Sequence, residues 1–221
     1  MKFAKIALVT AAAIGAMAPA MANAKAGDWI VRARAIMIAP TDGGNNGDVT
    51  GIAGATVNVD NAITPEVDFT YMATDNIGFE LIAATAKHHA KGAGILDGAG
   101  NLVNTWVLPP TLTAQWHFAP EAKVRPYIGA GINYTMFYNE KATSTLDGAL
   151  GGDTKAKLKN DWGWAVQAGV DIDLTEKFFL NLDVKYIDIN TKATLTTGST
   201  VRTVKVDLDP IVAGVGFGMR F

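Results

Sequence analysis

Eight segments of the chain alternate apolar residues with polar or small ones at every second position. The last segment is the clearest, because every odd position from Ile211 to Phe221 is apolar. A period of two predicts a β-strand with one apolar face. About 10 residues is the length of a β-strand that crosses a membrane. An apolar, aromatic stripe on the final strand is typical of bacterial outer-membrane barrels, where this stripe faces lipid.

The other segments predict an all-β fold, an eight-stranded antiparallel transmembrane β-barrel. The predicted strands cover residues 28–38, 62–73, 77–88, 105–118, 124–138, 161–172, 178–186 and 204–221. The last strand changes phase near Asp209-Pro210, which predicts a β-bulge. Short turns near 74–76, 119–123 and 173–177 alternate with longer loops at 39–61, 89–104, 139–160 and 189–202. This alternation predicts short periplasmic turns and long extracellular loops.

Aromatic residues at both ends of the apolar stripes favour a barrel over a soluble β-sandwich, since they suit two membrane interfaces. One predicted belt contains Trp29, Tyr71, Phe79, Trp116, Phe118, Phe178, Phe217 and Phe221. The other contains Trp106, Tyr138, Trp162, Trp164 and Tyr186.

The first 24 residues have the pattern of a secretory signal peptide: lysines, an apolar run and small-x-small cleavage sites. Residues 25–221 then form one outer-membrane barrel domain. The formal net charge of −2 comes without a clustered basic face, so nucleic acid is not an expected partner. The chain has no cysteine, which excludes disulfides, thiolate metal sites and thiol nucleophiles.

The inward face of the predicted barrel divides by height into a charged periplasmic floor and an apolar extracellular cup. We expect the opposite charges of the floor to pair, because an unpaired buried charge is costly. The predicted floor, or polar plug, contains Arg32, Arg34, Asp68, Glu80, His117, Arg125, Asp171 and Arg220. The predicted channel lining contains Ile36, Ile38, Ala84, Val107, Pro109 and Phe137.

From the residues alone, two functions stay open: a conduit for apolar molecules, or a barrel with a packed core whose loops bind partners. An enzyme is not expected, because the only serines, Ser144 and Ser199, lie in predicted outer loops. His88 and His89 are neighbours on a strand and point to opposite faces, so they cannot readily share a metal. We expect a surface or rim role for both, and we expect no cofactor or metal.

Several segments also resemble the OmpW family of outer-membrane proteins. They are residues 69–78 (FTYMATDNIG), 108–112 (LPPTL), 125–134 (RPYIGAGINY), 161–163 (DWG), 207–210 (DLDP) and 217–221 (FGMRF). The resemblance implies an eight-stranded barrel with a narrow apolar channel. It also implies uptake of small hydrophobic compounds with lateral release into the membrane, as in the AlkL-type importers. A gate of bulky residues is implied as well, with Trp162 as the candidate, although strand alternation places Trp162 on the lipid face.

The resulting hypothesis is a passive outer-membrane channel for small hydrophobic molecules, which leave laterally above the floor. The alternative is a structural or interaction barrel. Expected partners are the lipid bilayer and lipopolysaccharide, a small hydrophobic ligand or detergent, and the barrel-assembly machinery, through the strand that ends at Phe221.

Overall fold

The computed structural model describes residues 25–41, 47–49 and 53–221. The predicted signal peptide therefore lies outside the described residues. Within them, no helix is long and apolar enough to cross a membrane.

The described residues form fifteen strands and one short helix. The strands are β1 (Trp29–Ala39), β2 (Gly47–Asp48), β3 (Ala55–Val59), β4 (Ala62–Met72), β5 (Ile77–Ala84), β6 (Ala86–Gly94), β7 (Asn101–Leu108), β8 (Thr111–His117), β9 (Val124–Ala142), β10 (Thr154–Leu158), β11 (Asp161–Asp173), β12 (Phe178–Ile187), β13 (Asn190–Thr197), β14 (Thr200–Asp207) and β15 (Ile211–Arg220). The helix α1 covers Ser144–Leu150.

Eight of these strands close into an antiparallel barrel, which confirms the predicted fold. Strand β1 pairs with both β4 and β15, and the circuit runs on through β5, β8, β9, β11 and β12 back to β15. A closed barrel leaves no sheet edge unpaired, as a structure in lipid requires.

Each barrel strand turns alternate side chains inward and outward. In β1, the inward residues Ile30, Arg32, Arg34 and Ile36 are buried, whereas the outward Met37 is 46% exposed. The outer apolar surface carries aromatic pairs near both ends. Trp29 lies 5.2 Å from Tyr71 at one end, and Trp164 lies 5.2 Å from Tyr186 at the other, measured between ring centroids.

The predicted outer loops contain much more regular structure than their composition indicates. Strand β9 runs to Ala142, β6 pairs with β7 as a hairpin, and β10, β13 and β14 form a separate three-stranded sheet. These additions continue the barrel wall above the membrane, where hydrogen bonds between strands satisfy the backbone. The inward residues Leu195 and Val204 are buried there.

Three predicted strands are interrupted. The third breaks at Thr85 and the fourth at Pro109-Pro110, because proline has no N–H for the ladder. The last breaks between β14 and β15, where a simple bulge was predicted. Asp209 has a φ of 36° there, and its side chain accepts a hydrogen bond from the backbone N–H of Ile189 at 3.0 Å.

Candidate functional site

The periplasmic half of the barrel is filled by ion pairs centred on Arg32. Its guanidinium lies 3.2 Å from an Asp68 oxygen, 3.4 Å from a Glu80 oxygen and 3.0 Å from an Asp171 oxygen. These four side chains are at most 1% exposed. A buried arginine with three carboxylate partners is well compensated, and removing it leaves three anions without their shared cation.

A second tier of charges lies above this cluster. Arg34 contacts Glu66 at 2.8 Å and Asp68 at 2.5 Å. Lys185 contacts Glu66 at 2.9 Å and Asp183 at 2.6 Å. The predicted plug did not include Glu66 or Lys185, although both stand at inward positions of their strands and strand parity identifies them.

The lowest tier surrounds the ring of Phe179. The guanidinium carbons of Arg32, Arg125 and Arg220 lie 5.4–5.6 Å from its centroid, within the range of cation–π contacts. Arg125 contacts Asp173 at 2.5 Å, and Arg220 also contacts Asp173. Gly218 makes room for the ring, because a Cβ there would lie 2.1 Å from a Phe179 ring carbon.

His117 belongs to the same floor. Its ring stacks on Tyr127 at 5.3 Å, and its Nε2 lies 3.0 Å from Gln115 Oε1. The charged side chains of the three tiers are 0–6% exposed, so the described floor is filled with side chains rather than open to solvent.

Above the floor, two adjoining cavities have almost entirely apolar walls. The lower cavity has a volume of about 40 Å³ and includes five predicted lining residues: Ile36, Ile38, Ala84, Val107 and Pro109. The upper cavity has a volume of about 190 Å³ and includes the sixth, Phe137, together with apolar residues of α1 and of the strands above the membrane. Apolar protein cavities of about 150 Å³ accept a benzene ring, so the upper cavity suits a small aromatic molecule.

The two cavities meet at a waist formed by three residues that line both: His88, Val107 and Leu208. His88 is 6% exposed. In the β6–β7 hairpin it pairs with Thr105, next to the pairing of Lys87 with Trp106. The sequence-based expectation of a surface or rim role for His88 is therefore wrong. His88 points into the interior where the two cavities meet.

Asp60 holds both histidines from the loop beside β6. Its carbonyl oxygen lies 3.1 Å from His88 Nδ1, and its carboxylate lies 2.9 Å from His89 Nδ1. Burial raises the pKa of this carboxyl, but hydrogen bonds from the backbone and ring of His89 outweigh that effect, and the pKa lies below its ordinary value. Asp60 is therefore ionised at neutral pH.

Comparison with known proteins identifies this architecture. Residues 25–221 match the model of the OmpW family. The chain belongs to the OmpW family. It is 39% identical to Outer membrane protein W of Escherichia coli K12 over 200 residues, which cover 89% of this chain and 90% of that protein. It is 27% identical to Outer membrane protein AlkL of Ectopseudomonas oleovorans over 168 residues, which cover 76% of this chain and 70% of that protein.

The fold is likewise that of a solved outer-membrane protein. The crystal structure of the outer membrane protein OprG from Pseudomonas aeruginosa superposes with a TM-score of 0.82 at 35% identity, covering 91% of this chain and 99% of OprG. The protein is therefore a β-barrel of the bacterial outer membrane, in contact with its lipid bilayer. Like the OmpW-family barrels it resembles, it is not an enzyme.

The OmpW resemblance also pointed to Trp162 as a gate, and the structure places this residue elsewhere. Strand β11 pairs with β9 in unbroken register from Asp161 to Ile172, so no bulge turns Trp162 inward. Trp162 is 65% exposed on the outer surface, and its ring lies 4.8 Å from that of Tyr134. Trp162 belongs to the upper aromatic belt, and the gate assignment is corrected accordingly.

This position yields a prediction for Trp162→Ala. Because the side chain is outside the lumen, uptake of an apolar tracer should stay within about twofold of wild type. Loss of the aromatic contact should lower the free energy of unfolding by about 0.5–1.5 kcal/mol. Tracer uptake by whole cells and urea unfolding in lipid vesicles measure the two effects. A change in uptake greater than tenfold, in either direction, in a folded Trp162→Ala barrel would restore Trp162 as a gate.

Proposed function

We propose that the protein is a passive channel for the uptake of small hydrophobic molecules across the outer membrane. The observation that carries this proposal is the pair of adjoining apolar cavities above the ion-paired floor. Burial of apolar surface in such cavities is favourable by about 25 cal/mol per Å². A sugar in the same space loses hydration without enough hydrogen-bond partners, so it is excluded.

The strand ladder of the barrel wall is interrupted beside the lower cavity, and we propose that a molecule leaves there. The β5–β8 ladder ends at Ile82 opposite Thr111, and the β6–β7 ladder begins at Ala86 opposite Val107. Residues 83–85 therefore face residues 108–110 without ladder pairing. Ala84 and Pro109, one on each side of this opening, both line the lower cavity. The gap in the ladder, flanked by residues of the lower cavity, supports lateral exit into the lipid as the final step of the proposed route.

The proposal extends to partners at the surface. The aromatic belts and apolar outer face suit lipid, and lipopolysaccharide is the outer-leaflet lipid that surrounds the upper belt. The final strand, with Phe217 and Phe221 more than 60% exposed, is the segment that we propose contacts the barrel-assembly machinery.

The test of function is the rate of uptake of labelled naphthalene by Gram-negative cells that lack their own OmpW-family protein. Cells that carry this protein should take up naphthalene several-fold faster, with no change in the uptake of a labelled sugar of similar size. Equal naphthalene uptake with and without a folded barrel would contradict the proposal and favour an interaction barrel. Faster uptake of both solutes would indicate an open aqueous pore instead.

The lateral route predicts the effect of Ala84→Trp. An indole at this position fills the opening, and we expect uptake of naphthalene to fall by about tenfold, which corresponds to about 1.4 kcal/mol. The neighbouring Ala83 faces lipid and is exposed, so Ala83→Trp adds the same ring outside the opening and should leave uptake unchanged. Equal uptake by the two folded variants would exclude an exit at this opening.

A further inference from the structure

We propose that His88 makes the channel selective for small apolar molecules that carry a hydrogen-bond donor, such as a hydroxyl or N–H group. This inference rests on the proposed function and names the class of substrate. It follows from the position of His88, from the hydrogen bond that fixes its ring, and from the absence of free side-chain donors elsewhere in the described lining.

The contact with Asp60 determines which ring nitrogen carries the proton. His88 Nδ1 lies 3.1 Å from the Asp60 carbonyl oxygen, and a carbonyl only accepts. Nδ1 is therefore the donor, and in a neutral imidazole Nε2 is then an acceptor. Burial lowers the pKa of His88, which keeps the ring neutral at physiological pH. The waist thus presents one lone pair to a molecule that passes.

The Asp60 carbonyl is held in place by neighbouring contacts, so the ring orientation is fixed. The backbone N–H of Asp60 donates to the His89 carbonyl at 3.3 Å, and the His89 N–H donates to the Asp60 carboxylate at 2.9 Å. Lys91 lies 3.6 Å from the same carboxylate. These contacts attach Asp60 to β6 and so fix the carbonyl that orients His88.

Among the described residues that line the two cavities, the other polar side chains offer acceptors and no free donor. The hydroxyls of Thr105, Thr111 and Thr191 donate to the backbone carbonyls of Trp106, Pro109 and Lys159, at 3.3, 3.0 and 2.7 Å. Glu66, at the bottom of the lower cavity, is a carboxylate held by Arg34 and Lys185. The described side chains of the wall therefore accept hydrogen bonds from a ligand and do not donate them.

This asymmetry separates molecules of equal size and similar polarity. The O–H of a phenol or alcohol donates a hydrogen bond to Nε2 of His88 at the waist. The oxygen of an ether can only accept, and the described side chains of the wall offer it no free donor. One additional hydrogen bond corresponds to about a two- to tenfold difference in the binding constant of a ligand. We expect a preference of that size for the donor-bearing molecule.

The test compares the uptake of p-cresol and anisole, which are isomers that differ in whether the oxygen carries hydrogen. Each rate is corrected for uptake by cells without the protein. For wild type, the corrected ratio of p-cresol to anisole should be about two to ten. In H88L it should fall to about one, mainly through slower p-cresol uptake, with H88F as a second apolar replacement if H88L does not form the barrel. In K87Q, which changes the adjacent exposed side chain, the ratio should equal that of wild type.

The outcomes separate this inference from the function on which it rests. A wild-type ratio of one, with both isomers taken up faster than in cells without the protein, overturns donor selectivity and leaves the hydrophobic channel intact. A wild-type preference that persists in folded H88L or H88F overturns the role of His88. If neither isomer enters faster than in cells without the protein, the proposed function itself fails.

Discussion

Val107→Trp is expected to abolish most of the protein-dependent uptake of naphthalene, a loss of more than about tenfold, equivalent to 1.4 kcal/mol or more. Val107 is 5% exposed and lines both cavities at the waist. Because Val107 lines both cavities, an indole at this position projects into the space where they meet. Uptake of labelled naphthalene by whole cells measures the effect.

The matched control for Val107→Trp is Leu112→Trp, because Leu112 is 49% exposed on the lipid face of the adjoining strand. Overpacking an interior costs about 1–3 kcal/mol, so barrel formation is checked by heat-dependent electrophoretic migration. Ile36→Trp, from the opposite wall of the lower cavity, should also slow uptake. Unchanged uptake in folded Val107→Trp and Ile36→Trp barrels would show that the apolar cavities are not the route.

Arg32→Met is expected to lower the free energy of unfolding by about 3–5 kcal/mol. The substitution removes one cation and leaves Asp68, Glu80 and Asp171 as neighbouring buried carboxylates without it. Methionine keeps much of the side-chain volume, so most of the effect comes from three buried carboxylates that retain only their ion pairs with Arg34 and Arg125. Urea unfolding in lipid vesicles, followed by tryptophan fluorescence, measures the change.

The matched control for Arg32→Met is Lys91→Met. The Lys91 side chain is 48% exposed and its nitrogen lies 3.6 Å from Asp60. Exposed ion pairs contribute about 0–1 kcal/mol, so the control should change stability by no more than that. A similar, small loss in both variants would mean that the floor does not stabilise the barrel through its ion pairs.

Strand parity accounts for how much of the interior the sequence predicts. Arg32 and Ile36 stand at alternate positions of β1, and the period of two turns both inward regardless of which partner each contacts. Parity also placed Trp162 outside, against the gate suggested by family resemblance, and the exposed ring lies where parity puts it. Parity predicts whether a side chain faces the lumen or the lipid, but it does not predict which side chains meet across the lumen.

Strand parity does not predict which inward side chains contact one another. Those contacts depend on which residues of distant strands lie at the same height along the barrel axis. Lys185 reaches Glu66 from 119 positions away along the chain, and no local pattern encodes that meeting. His88 was misread for a related reason. Its strand was predicted to end there, whereas β6 continues to Gly94 and pairs with β7, so a residue expected at the rim lies inside a longer barrel.

The threonine-rich segments show a second limit of the sequence. Residues 190–207 were predicted as mostly loop, because their composition is polar, yet they form β13 and β14. Threonine is a good strand former, and every second residue, such as Ala193 and Leu195, is buried against the upper cavity. The polar composition predicted a loop, although buried and exposed residues alternate with the period of two that is typical of a strand.

The most direct test of the apolar route is to locate a small apolar molecule inside the barrel. Crystals of the protein soaked with bromobenzene reveal the bromine by its anomalous scattering. The account predicts bromine in the upper cavity and at the waist beside Val107 and Leu208, with none among the ion pairs of Arg32. Bromine found only on the lipid-facing surface, or within the floor, would contradict it.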